Sequence, residues 1–164
     1  MKQMIEEKLS SRGINLSTRL LPIGSYSPVI ILGNLAFVSG QIAIDHNRQP
    51  TEVKYKGKVG KEITIEDAKK AAELCVINGL IQLKNALGNL DKIKKFVKLS
   101  GFVNCDSSFV DHATVMNGAS DFIVQIFGDA GKHARIAVGA NSLPLNSCTE
   151  IDMVVEISPE SEQR

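Results

Sequence analysis

The chain has 164 residues, a formal net charge of +1, and 43% hydrophobic against 23% charged residues. That length suits one domain and buries roughly 70% of the unfolded surface, enough for a core without staples. The near-neutral charge gives no reason to expect a nucleic-acid or anionic-membrane partner, no apolar run is long enough to span a bilayer, and the charged start MKQMIEEKLSSRG lacks the apolar stretch of a secretory signal.

Residues 2–12 read as a short helix with Gly13 at its C-terminal cap. The stretch 14–27, with Pro22 and Gly24, reads as a loop. Two apolar runs follow, Val29–Leu32 and Leu35–Ser39, around Gly33-Asn34, a pair suited to a two-residue hairpin turn. Gly40 is expected to end the second strand. Residues 45–62 are polar and turn-rich, with at most a short edge strand near Val53–Lys56. A long helix begins after Thr64, with Asp67 at the position that closes a capping box. Its apolar face is Ala68, Ala72, Cys75, Val76, Gly79, Leu83 and Ala86, in steps of three and four, and Gly88 stops it.

Ile93–Val103 reads as a strand with Val97, Leu99, Gly101 and Val103 on one face. A second helix spans about Phe109–Phe127, its stripe Val115, Ala119, Phe122, Ile123 and Ile126, with Gly128 at its end. Strands Ala134–Ala140 and Cys148–Ile157 flank the loop NSLPLNS, and 158–164 is a polar tail. The whole chain, 1–164, is thus expected to be one α+β domain, a mixed sheet with two long helices on one face. The other face must be polar or covered, and assembly with further copies is one way to cover it.

Strand alternation places Arg135, Ala137 and Gly139 together, a guanidinium beside the smallest residues available. Such a cation can grip a carboxylate with two parallel hydrogen bonds, or be an ordinary surface arginine in a weak ion pair. Both readings stand on pattern alone. On the last strand Glu150, Asp152 and Glu156 share a face that is either solvated or, at its loop end near Glu150, part of a site. His46, His112 and His133 are scattered, and none pairs with a cysteine at ligand spacing, so no metal site is expected. The odd, widely spaced Cys75, Cys105 and Cys148 suggest no disulfide framework and a cytoplasmic location; they read as core or incidental. GKVGK at 57–61 lacks the spacing of a phosphate loop, and Lys92, Lys94 and Lys95 read as a solvated face.

The segments GSYSP (24–28), GNLAFVSGQIAID (33–45), VKLSGFVN (97–104) and HARIAVGANSLPLNSCTEIDMVVEI (133–157) resemble the signatures of the Rid family, the reactive intermediate deaminases also called YjgF-type or endoribonuclease L-PSP-like proteins. They occur in family order, and the likeness runs from about Gly24 to Ile157, with the look of a divergent branch. The resemblance implies a chorismate-mutase-like fold and a homotrimer whose sheets close into a central barrel, with sites in clefts between subunits. It implies a cofactor-independent hydrolase that converts 2-iminoacids such as 2-iminobutanoate and 2-iminopropanoate to 2-ketoacids and ammonia. Alternatives are a non-catalytic trimeric binder of small carboxylates and an endoribonuclease or translation inhibitor.

The family arginine falls on Arg135, the glutamate on Glu150 and the tyrosine on Tyr26. The resemblance implies that Arg135 anchors the substrate carboxylate, Glu150 positions water or shuttles its proton, and Tyr26 closes the wall. Ala137 and Gly139 would leave room for backbone contacts, with Ser39 and Gly40 lining the pocket. Two departures bear on substrate choice. Ile136-Ala137 replaces the serine-cysteine pair of the archetypal deaminases. Asn117 lies one position from the family asparagine, whose place Gly118 takes.

Overall fold

The computed structural model describes residues 4–16, 24–45 and 52–158. His46, the middle of the loop before Gly24 and the tail beyond Ser158 lie outside them. The elements are α1 (Ile5–Ser10), β1 (Val29–Leu32), β2 (Leu35–Ile42), α2 (Ile65–Leu87), β3 (Ile93–Asn104), α3 (His112–Phe127), β4 (Ala134–Ala140) and β5 (Thr149–Ile157). They form one α+β unit around a mixed five-stranded sheet in the order β1-β2-β5-β3-β4, in which only β3 and β4 run parallel. The parallel pair follows from α3, the crossover that returns the chain to the same end of the sheet.

Thr64 caps α2 by accepting from the Asp67 backbone N–H at 3.1 Å, and Gly88 ends it at φ 78°. The Asp67 carboxylate turns instead to Lys70, 3.0 Å away. The α2 face is buried as expected except Ala86, which is exposed while Leu87 is buried. The whole α3 stripe is buried, but the helix starts at His112 rather than Phe109. Both helices lie on the same face of the sheet. A side chain at Gly79 would collide with Met153 on β5, and one at Gly101 on β3 would collide with Met116 of α3. The helices also touch each other, since a Cβ at Gly118 would run into the backbone of Lys69. The short α1 seals the far end. It buries Ile5 and Leu9, and Lys8 Nζ donates to the Ile126 carbonyl at 3.1 Å.

Two strand expectations need correction, both because of bulges. β2 does not end at Gly40 but continues to Ile42 through a register shift between Val38 and Gln41. In β3 a shift between Phe96 and Lys98 turns Val97 outward, 39% exposed, while Phe96 takes the core position. Near Val53–Lys56 there are isolated bridges, Ile44 to Val53 and Lys56 to Ser147. The sheet face away from the helices is open and partly apolar, with Ile30, Leu32, Phe37 and Ile136 each more than 40% exposed. No helix among the described residues is long and apolar enough to cross a membrane.

Candidate functional site

Arg135 is in register with Leu99 of β3, which pairs Met153 of β5. Directly paired residues point to the same side of a sheet, and Leu99 and Met153 are buried under the helices, so Arg135 is on the helix side. Its guanidinium lies along α3. Nη1 donates to Asn117 Oδ1 at 3.0 Å and to Ser120 Oγ at 3.1 Å, and Nη2 to the Ala113 carbonyl at 3.5 Å. A guanidinium has five N–H donors, so these three leave Nε–H and one Nη2–H without a partner among the described residues. Two is the number that a carboxylate's oxygens take. Arg135 is therefore held by α3 and is not in an ion pair with any acid described.

Ser120 is itself held. His133 Nδ1 lies 2.6 Å from the Gly131 carbonyl, which can only accept, so Nδ1 carries a proton. His133 Nε2 and Ser120 Oγ are hydrogen-bonded at 2.9 Å, and the Ser120 oxygen accepts from Arg135. Neither the serine nor the histidine stood out as a site residue in the sequence.

Beside Arg135, Ala137 is half-buried and Gly139 is exposed, with other side chains close to it. Ala137 packs on the core, and a Cβ at Gly139 would lie 2.8 Å from His112 Nε2 and 3.0 Å from Cys105 Sγ. His112 and Cys105 are 3.5 Å apart, and Phe109 meets the imidazole edge-on. The two residues are seven apart in the chain, and the structure brings them together as a single contact. The first turn of α3 folds back over the end of β3, a proximity that sequence spacing does not display. Burial raises the Cys105 thiol above its ordinary range, pushes Cys148 up to about 12, and raises Cys75 strongly. None is an activated thiolate. Among the described residues no three of His, Cys, Asp and Glu gather as a metal would require.

Tyr26, Ser39, Gly40 and Glu150 meet elsewhere, on the open face. They line a cleft of about 710 Å³ whose other walls include Ile30, Phe37, Ile42, Pro144, Leu145 and Asp152. Ser39 fastens the Tyr26 loop to β2, donating its hydroxyl to the Ser27 carbonyl at 2.7 Å. The Glu150 carboxylate lies across Gly40, where any Cβ would collide with it. Burial, and next the nearby negative charge of Asp152, raise the Glu150 pKa above the ordinary glutamate value. Such a carboxylate is a better proton acceptor near neutrality than a solvated one.

Arg135 and Glu150 are thus not brought together within one chain. Glu150 pairs Phe102, which pairs Val138, so it occupies the face opposite Arg135 with β3 between their strands. One surface offers a cation with two spare donors, and another offers a half-buried carboxylate in an apolar cleft.

A family model described as "YjgF/chorismate mutase-like, putative endoribonuclease" matches residues 6–157. The chain belongs to this YjgF-like family. It is 35% identical over 155 residues to Protein TCP17 of Trypanosoma cruzi, covering 94% of each chain. Among solved structures it is similar to Atu1372 of Agrobacterium tumefaciens, a protein described as of unknown function, with 42% identity, 94% of each chain covered and a TM-score of 0.83. It is also similar to a "putative endoribonuclease" of Shewanella oneidensis, with 32% identity, 94% of this chain and 100% of that one covered, and a TM-score of 0.87. Membership of the YjgF-like family accounts for the sheet order and for the two helices on one face.

Proposed function

We propose that this YjgF-like protein is a cytoplasmic, cofactor-independent 2-iminoacid deaminase that works as a homotrimer. In this reading Arg135 of one subunit faces Tyr26, Ser39, Gly40 and Glu150 of the next, across a cleft between them. The observation that carries the proposal is the guanidinium fixed by three bonds to α3 with two donors to spare, complementary to a substrate carboxylate. The uncovered apolar residues Leu32 and Ile136, outside the cleft on the same face, support burial against further copies, with the sheets closing into a central barrel.

The chemistry follows from these two half-sites. Arg135 fixes the carboxylate and with it the imine carbon, so that attack by a held water becomes effectively intramolecular. The water oxygen bonds to carbon, the C=N π pair moves to nitrogen, and Glu150 takes the water's proton. Glu150 returns that proton to nitrogen. The carbinolamine hydroxyl proton then passes by way of Glu150 to nitrogen as the C–N bond breaks, so that nitrogen leaves as ammonia with the electron pair and Glu150 ends ionised, as it began. One water is consumed for each 2-ketoacid and ammonia, and no electrons are exchanged. The neighbouring carboxylates Glu150 and Asp152 disfavour a phosphate backbone in the same cleft, which favours imine hydrolysis over RNA cleavage.

The test generates 2-iminobutanoate with a threonine dehydratase and follows its disappearance. The protein is expected to accelerate hydrolysis, and Arg135→Ala to abolish the acceleration. A wild-type protein that leaves the spontaneous rate unchanged would contradict the proposal.

A further inference from the structure

Leu145 sits in a conformation that leucine disfavours. Its φ and ψ are 54° and 24°, in the left-handed region, and the next residue, Asn146, has φ 59°. Asparagine tolerates this region, whereas leucine pays a steric penalty there. Core burial does not compensate, because Leu145 is 49% exposed and projects at the wall of the open-face cleft.

The surrounding structure enforces the turn. Asn104 Nδ2 donates to Asn146 Oδ1 and to the Ser147 carbonyl, each at 3.2 Å. Lys58 Nζ donates to Asn104 Oδ1 at 3.0 Å and to the Asn141 carbonyl at 2.6 Å. The Gly57 N–H donates to the Asn146 carbonyl at 2.9 Å. A strained, exposed, apolar residue at a cleft, over-determined by its neighbours, is the pattern of a ligand contact.

We propose that Leu145 selects the substrate's side chain, making the cleft specific for 2-imino and 2-keto acids with branched or aromatic apolar side chains. The inference rests on the reading above, in which the carboxylate end of the substrate meets Arg135 of the neighbouring subunit. The other end then lies between Leu145 and the apolar wall formed by Ile30, Phe37 and Ile42. Each methylene withdrawn from water there is worth about fourfold in affinity. Glu150 and Asp152 on the same wall repel acidic side chains, so dicarboxylates are excluded.

The experiment measures binding of pyruvate, 4-methyl-2-oxopentanoate and 2-oxoglutarate by calorimetry to the wild-type protein, Arg135→Ala, Leu145→Gly and Leu145→Asn. Sedimentation of each variant is recorded alongside. Wild type is expected to bind the branched acid at least about tenfold more tightly than pyruvate, and 2-oxoglutarate more weakly than either. Leu145→Gly and Leu145→Asn are expected to bring the branched-to-pyruvate ratio within about threefold while raising Tm, since both residues accept positive φ. A wild-type ratio near one, or a ratio unchanged in both variants, overturns the proposal. So does a ratio lost only when the assembly dissociates, which makes Leu145 an interface residue. Pyruvate binding that Arg135→Ala abolishes, without side-chain preference, sinks this inference and leaves the carboxylate reading standing. No binding of any acid sinks both.

Discussion

At the scale of single residues, the Arg135 guanidinium is held in place by a chain of hydrogen-bonded neighbours. Ser120 accepts from it and is oriented by His133, whose other nitrogen is tied to the Gly131 carbonyl. Removing the hydroxyl in Ser120→Ala takes one of three restraints from a charged donor. Steady-state kinetics should then show KM raised roughly tenfold with kcat within about twofold. Ser120→Thr, which keeps the acceptor, should restore KM; equal loss in both variants would mark a packing defect. The second residue-scale prediction concerns Glu150. Burial and then Asp152 raise its pKa, and as a base it must be ionised, so activity should fall as pH drops through that raised value. Asp152→Asn removes the repulsion and lowers the Glu150 pKa, so the acid limb of the pH–rate profile should move to lower pH. An unmoved or upward-moved limb would show that Glu150 is not the titrating base. Alternation alone placed Arg135, Ala137 and Gly139 on one face correctly. That His112 and Cys105 flank Gly139 was not legible, because they arrive there through the bend between β3 and α3.

At the scale of elements, the crossing of α2 and α3 depends on Gly118, whose missing side chain lets the Lys69 backbone approach. Backbone yields less readily than a side-chain tip. Gly118→Ala should therefore cost about 2 kcal/mol and lower Tm by roughly 4–8 °C in calorimetry, despite alanine's better helix propensity. A rise in Tm would show that the helices can part without penalty. Apolar periodicity and glycine punctuation sufficed for β1, β4 and the C-terminal ends of both long helices. The errors fell at Gly40 and Val97, where bulges insert one residue and break the period of two on which strand reading rests. The Gly40 bulge is also where Glu150 needs bare backbone, so the residue that misled the strand boundary belongs to the cleft.

At the scale of the molecule, the two halves of the proposed site lie on opposite faces of one sheet. Sequence motifs grouped Arg135, Glu150 and Tyr26 by resemblance. Their separation depends on cross-strand register through β3, which no local pattern encodes. In the proposed trimer a neighbouring copy would complete both the exposed apolar face and the unused donors of Arg135. The most direct test mixes Arg135→Ala chains with Glu150→Gln chains under conditions that exchange subunits, and assays imine hydrolysis. Each variant alone should be inactive. If every cleft takes its arginine from one subunit and its glutamate from the next, random assembly of equal amounts should restore about one quarter of wild-type activity. A mixture that stays as inactive as its parents, with exchange verified, would contradict the account.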